Sequence, residues 1–326
     1  MTELESPTVL RLGDPADVLS AIPYLLTYRP ECSLVFLLLS ERRLIVTARI
    51  ELEIDRAPSV VDLADYLQRV SADHGADGLI LVAYHTDIAW ASGLLIDLIS
   101  WLDSVAVHEA LVADGQCWWS CLCLHKGRAE CGCGDSTGTP YDVSATAVSA
   151  QAVVAGLNVQ PSREALAESV AGPATDQARQ LATMLLEAAL AEISELGLVE
   201  QKERMALLID QHCSGRSLTE REYGQLAILA YEPGVRDVAV DRMDRAQAAA
   251  HIALWREVVA HTIAPFEVPP LCLLGLAGWL SGDGALQVVC MERAEQIQPD
   301  YSLLRVLDQI NADALHPGVW DTPPTR

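Results

Sequence analysis

The stretch Cys32–Glu53, "CSLVFLLLSERRLIVTARIELE", decides the fold. Its first part, residues 32–40, is a continuous apolar run of strand length, the pattern of a strand buried on both faces. Residues 43–53 alternate instead, with Leu44, Val46, Ala48 and Ile50 on one face. Side chains of a strand point to opposite faces in turn, so alternation marks a half-exposed strand. Together the two runs predict a hairpin with one central, fully buried strand and one half-exposed partner.

The surroundings of the hairpin supply the rest of an α/β layer. Upstream, Asp14 before Pro15, with Asp17 in the first turn, predicts a capped short helix that Pro23 and Pro30 end. Downstream, Val60, Leu63, Ala64 and Leu67 recur at helical spacing up to Gly75, a residue suited to the C-cap. "GLILVAY" (78–84) is then a buried strand reached by a crossover, "WASGLLIDLISWL" (90–102) is helical, and 105–124 returns to strand-like alternation. This order predicts an α/β sandwich with a mixed sheet over residues 1–138.

The Gly, Ser, Thr and Pro run "GDSTGTPYDVS" (134–144) reads as a linker, and the strand signals stop after it. Helical patterns follow one another between Pro and Gly punctuation, so residues 139–326 are expected to form an all-α domain. The last helices place Ala277, Trp279, Gly282, Ala285, Ala294, Pro299 and Tyr301 in an order similar to a tetratricopeptide unit. Ordinary antiparallel helices give the same layout, and a solenoid needs about three units where one is visible.

Composition narrows the function. At 51% hydrophobic and 21% charged residues the chain is a folded one. Its net charge of −23 repels phosphate backbones and anionic lipid, which argues against nucleic acid and membrane surfaces as partners. The start "MTELESPTVLRLGDP" lacks the basic and apolar regions of a secretory signal, and the longest apolar run, Leu271–Leu280, is short of the roughly 20 residues of a membrane helix. A cytoplasmic location is therefore expected, where nine cysteines, an odd number, stay mostly as thiols.

Six stretches in order, "IPYLLTYRPECSLVFLLL" (22–39) with "RLIVTARIEL" (43–52), "GADGLILVAY" (75–84), "DGQCWWSCLC" (114–123) ahead of "GTPY" (138–141), "VRDVAVDRM" (235–243) and "AGWLSGDGALQVVCMERAEQIQPDYSLLRVLDQI" (277–310), resemble the DUF4192 family of actinobacterial proteins. Thr27 and Tyr28 stand where the family pattern has Gly-Phe. The resemblance implies a two-part architecture and brings no activity with it.

Several residues carry candidate chemistry. Cys117, Cys121, Cys123, Cys131 and Cys133 crowd "CWWSCLCLHKGRAECGC". On a strand, alternate residues share a face, so a three-residue turn at 126–128 would bring Cys121, Cys123, Cys131 and Cys133 together around Zn²⁺, whereas a turn of other parity would split them. Reduced thiols packed as small hydrophobes are the competing reading. His85 and Asp87 directly follow a buried strand, where α/β sheets place ligand residues, although strand-to-helix loops need polar residues in any case. Arg236 and Asp237 form a candidate partner-binding pair, against the simpler reading of an exposed ion pair. The glycines of 132–138 match neither G-x-G-x-x-G nor a P-loop, and no G-x-S-x-G or H-E-x-x-H occurs. The expectation is a non-catalytic interaction or regulatory module with a protein partner. The alternative is an enzyme or small-ligand binder at the domain junction, using His85, Asp87 and the glycine-rich loop, and the third reading is a zinc-stabilised module.

Overall fold

The structure, a computed structural model, describes residues 13–55, 59–122, 137–154 and 159–321. The chain divides into two compact units, Met1–Arg163 and Glu164–Arg326. The division falls later than residue 138, because the segment after it still joins the sheet and packs on the first helix.

In the first unit, helix α1 (Pro15–Leu26) starts where the Asp14 carboxylate accepts a hydrogen bond from the Asp17 N–H at 2.9 Å. It does not end at Pro23, as the sequence suggested, but runs to Leu26 and stops at Thr27 in the left-handed conformation. Pro23 lies within the buried face of the helix, beside Ile22. Burial of that face holds the last turn in spite of the missing N–H.

Strands β1 (Ser33–Ser40) and β2 (Arg43–Glu51) form the expected antiparallel hairpin. Glu41 and Arg42 both take positive φ at the tip, the turn whose twist matches that of the strands. The Asp77 carboxylate accepts from the Glu41 N–H at 3.0 Å and ties this tip to the next strand. Helix α2 (Val60–Asp73) leads into β3 (Gly78–Tyr84), which lies antiparallel to β1. Helix α3 (Ile88–Trp101) is then the crossover to β4 (Ala106–Ala113), parallel to β3. Short strands β5 (Cys117–Ser120) and β6 (Thr139–Pro140) complete a mixed sheet in the order β2-β1-β3-β4-β5-β6. The face bearing Phe36 and Leu81 packs towards α2, where the Phe36 and Tyr66 rings meet edge-on at 6.2 Å. Helix α4 (Ala147–Val154) packs on α1, and Tyr28 bridges to Gln160.

The second unit is helical throughout its described residues: α5 (Arg163–Glu168), beginning at the unit boundary, α6 (Asp176–Ser194), α7 (Leu198–Cys213), α8 (Glu220–Tyr231), α9 (Pro233–Asp241), α10 (Ala248–Ala260), α11 (Val268–Ser281), α12 (Gly284–Ile297), α13 (Ser302–Ala312) and a final 3₁₀ turn. Thr219 and Glu222 form a reciprocal capping box that starts α8. Helix α11 is buried along almost its whole length, as its unbroken apolar run requires. It packs closely on α12 because Gly275 and Gly278 face that helix. A Cβ at Gly278 would come within 3.1 Å of the Asp283 carbonyl oxygen. This close pair of helices therefore rests on Gly275 and Gly278 rather than on Ala277, Gly282, Ala285 and Ala294, the small residues that the sequence singled out.

Candidate functional site

The carboxyl ends of β3 and β4 are the first place to look, since they carry His85 and Asp87. The His85 N–H donates to the Ala113 carbonyl at 3.0 Å, which extends the β3–β4 ladder by one step. Its ring Nδ1 accepts from the Asp87 N–H at 2.9 Å, so in the neutral ring the proton sits on Nε2. The Asp87 carboxylate accepts from the Trp90 N–H at 3.0 Å and caps α3. His85 is buried, with its ring 4.8 Å from that of Trp90. A general base needs a free lone pair aimed at a substrate. The basic nitrogen of His85 is already occupied, and Asp87 is engaged in starting a helix.

Other polar groups gather at the same edge. Tyr84 lies opposite Ser33 across the β1–β3 ladder, and both hydroxyls are buried without a partner among the described residues. Burial, and secondarily the neighbouring Tyr141, holds the Tyr84 phenol well above its ordinary range. Tyr141 is pushed up to about 12, first by burial and then by Asp114, while the Gly115 N–H opposes the shift. These phenols stay protonated at neutral pH and can donate hydrogen bonds. They are not activated nucleophiles.

The cysteine-rich stretch departs from the expected strand. β5 stops at Ser120 and Cys121 begins a helical turn, so the alternation that would have put Cys121 on one face with Cys117 does not continue. Cys121 is a fully buried thiol, pushed up to about 11 by burial, with a hydrogen bond to Ser92 opposing and Glu109 adding to the shift. Cys123, Cys131, Cys133 and most of the glycine-rich loop lie outside the described residues, and the zinc expectation rests on them. Among the described residues no group of three or more His, Cys, Asp or Glu side chains is placed to hold a metal ion.

The second unit brings together residues that no local pattern pairs. Cys213 Sγ lies 3.9 Å from Nε2 of His251, and that nitrogen donates to the Arg242 carbonyl at 3.2 Å. Burial raises the thiol, helped by Asp210 and Asp244, and burial lowers the imidazole. The pair thus rests as thiol and neutral imidazole, the reverse of the thiolate that a cysteine nucleophile requires. Arg236 and Asp237 are adjacent on α9, but only Asp237 is exposed. The Arg236 guanidinium donates to Asp237 at 2.8 Å, to the Tyr301 hydroxyl at 3.1 Å and to Ser302 at 3.2 Å, and it lies over the Tyr301 ring. The fork expected to meet a partner is therefore engaged inside the helical unit, tying α9 to the start of α13.

One structural feature escaped the reading of single residues. β2 ends the sheet, and among the described residues no strand pairs with its outer side. It is nine residues long and only partly covered, with Arg43, Leu44 and Glu51 exposed. A β-bulge interrupts its pairing with β1, leaving Ile45 without a partner residue between Leu44 and Val46. Alternation at 43–53 signals such a half-exposed strand. What it does not show is that β3 takes the other side of β1 and leaves β2 outermost.

The fold is that of an α+β protein, a mixed sheet followed by helices, in which β2 is the outermost strand among the described residues. A family model described as "Domain of unknown function (DUF4192)" matches residues 15–318, and the chain belongs to that family. No curated protein and no solved structure matches it. No helix among the described residues is long and apolar enough to cross a membrane.

Proposed function

We propose that the protein is a non-catalytic interaction module of the cytoplasm that engages a protein partner by strand addition at β2. The observation that carries this reading is the nine-residue outer strand with no strand beyond it among the described residues. An edge of that length offers a row of N–H and C=O groups that can template another strand, and beyond the bulge at Ile45 the residues Val46–Glu51 run in unbroken register with β1. The side chains that looked catalytic support the same conclusion from the other direction. His85 and Asp87 serve to start α3, and the thiols of Cys121 and Cys213 are held in the neutral form. The charge of −23 favours a protein over a nucleic acid or an anionic membrane.

Blocking the edge tests this. Proline lacks an N–H and fixes φ, and Ile45 is the β2 position with no partner residue in β1, so Ile45→Pro interrupts the edge strand without removing a paired step of the β1–β2 ladder. In extract of its own cells the native protein should migrate as a complex larger than the 35.3 kDa chain. The Ile45→Pro chain, with an unchanged melting temperature, should migrate as the chain alone. Wild-type protein that already runs at the mass of one chain, or a complex indifferent to Ile45→Pro, overturns the reading.

A further inference from the structure

We infer that the final 3₁₀ turn, Pro317–Asp321, is a displaceable strap, and that the ground it covers docks a segment of another protein in which a tryptophan is followed at once by a carboxylate. This site lies wholly in the helical unit and does not rest on β2. The structure holds an example of the segment it takes, which is the chain's own. The Trp320 indole N–H donates to the Met243 carbonyl at 2.9 Å, the Trp320 ring meets that of Trp279 edge-on at 5.9 Å, and Arg245 meets the Asp321 carboxylate at 3.0 Å. Beside them the Trp279 indole N–H donates to the Leu315 carbonyl at 2.8 Å. What lies beneath is closed off, for Met243, just past the end of α9, is 3% exposed and Trp279, on α11, is 6% exposed. The cover is different, since no residue of the turn is buried, and Leu315 and Val319 stand exposed. Its shape is made within itself, where His316 accepts the Gly318 N–H on its ring and the Val319 N–H on its carbonyl, each at 3.0 Å. The chain leaves α13 through Ala314 at a φ of 47°, left-handed backbone where glycine is usual, so the closed position is held against strain. Segments with few buried apolar groups open first, by local rather than global unfolding. Lifting this one frees an apolar ring with its N–H donor, a carbonyl acceptor and a cation, and a few polar groups on an apolar floor make a binding site. A carbonyl or indole N–H shut away without a partner is costly, so a segment that replaces the turn must bring the same groups.

A synthetic peptide of residues 313–326, added to the full chain, is the probe. Trp320→Ala in the chain unfastens the strap, so that chain should bind the peptide roughly tenfold or more tighter than the wild type, whose own turn competes as a tethered ligand. The same peptide carrying Trp320→Ala should bind neither chain. Adding Arg245→Gln to the Trp320→Ala chain should weaken the peptide about two- to fivefold, and by less at high salt, as for an exposed ion pair. Hydrogen exchange of the wild type needs no variant. The Trp320 indole N–H, tied to the Met243 carbonyl only while the strap is closed, should exchange far ahead of the main-chain amides of α11. A folded Trp320→Ala chain that ignores the peptide, a peptide that binds as well without its tryptophan, or a Trp320 indole N–H that exchanges only as the helical unit unfolds overturns the strap. If Trp320→Ala fails to fold, the exchange of that indole decides alone. A wild type that dimerises at high concentration where Trp320→Ala does not makes the turn of a second copy the occupant and overturns the foreign partner.

Discussion

The two units solve the problem of fixing their parts by different means. In the sheet unit, main-chain hydrogen bonds set the neighbours, from the β1–β2 hairpin through β3 and β4. In the helical unit every α-helix satisfies its own main chain, so side chains must decide which helix lies against which. Arginines do much of this. Arg236 ties α9 to α13, Arg204 donates to Gln225 at 2.7 Å while Gln225 donates to Glu192, and Arg293 meets the buried Glu267 at 2.9 Å. In the sheet unit Arg49 meets Glu51 of the same strand at 3.8 Å, and so ties no two elements together. A ladder needs no such cross-ties, but an open sheet ends in edges, and on β2 Arg43 and Glu51 stand exposed.

The strongest way to break this contrast is through the apolar core of the sheet. Phe36 is fully buried at the centre of β1 against Tyr66. Phe36→Ala should cost about 3–5 kcal/mol. Leu44→Ala, on the edge strand, should cost well under that. Urea unfolding followed by a probe in each unit would show the loss in the transition of the sheet unit. Equal costs for the two substitutions would mean that β2 is covered as thoroughly as β1.

Arg236 gives the next largest effect, now in the helical unit. Its removal takes away hydrogen bonds from a charged group to Tyr301 and Ser302, worth about 1.5–3 kcal/mol. Arg236→Ala should lower the stability of that unit by this amount. Asp237→Asn, at a side chain that is 61% exposed, should cost under about 1 kcal/mol. If Arg236→Ala instead left the melting temperature unchanged and abolished a partner's binding, the guanidinium would be a recognition group rather than a tie.

What the sequence disclosed follows the same division. β1 and β3 are legible because burial on both faces forces continuous apolar runs, and α2 and α8 because periodicity or a capping box is written locally. Helix α7 is harder to see, since Leu198 and Val199 are more than half exposed at its start and blur the apolar face. The role of Arg236 was hidden because its partner Tyr301 lies 65 residues away, and Cys213 meets His251 across 38. Such side-chain ties leave no periodic trace. The stop of β5 at Ser120 was also hidden, because "CWWSCLC" alternates well enough to continue as a strand. The open edge of β2 depends on strand order, which pairing alone decides.

The smallest effect expected is a pH dependence confined to the helical unit. His251 is fully buried, and burial holds its pKa below the ordinary 6.5, against the pull of the Arg242 carbonyl, Asp244 and Asp210. His212 nearby is also lowered by burial, with Glu257 opposing, and each imidazole disfavours charge on the other. As the pH falls below 6.5 the unfolded chain takes up protons that the folded unit resists. The stability present above that pH is therefore lost as the pH falls through the lowered folded values. Glu267 works in the opposite sense, because burial raises its carboxyl above 4.5, and the stability present below 4.5 is lost as the pH rises through the raised value. His251→Gln removes one imidazole without touching Glu267. Melting curves of the helical unit should fall less steeply below 6.5 in this variant than in the wild type, while the sheet unit, which lacks such a pair among its described residues, follows the same curve in both. Identical slopes in wild type and variant would mean that His251 already takes up its proton in the folded unit, and that Asp210 and Asp244 outweigh its burial.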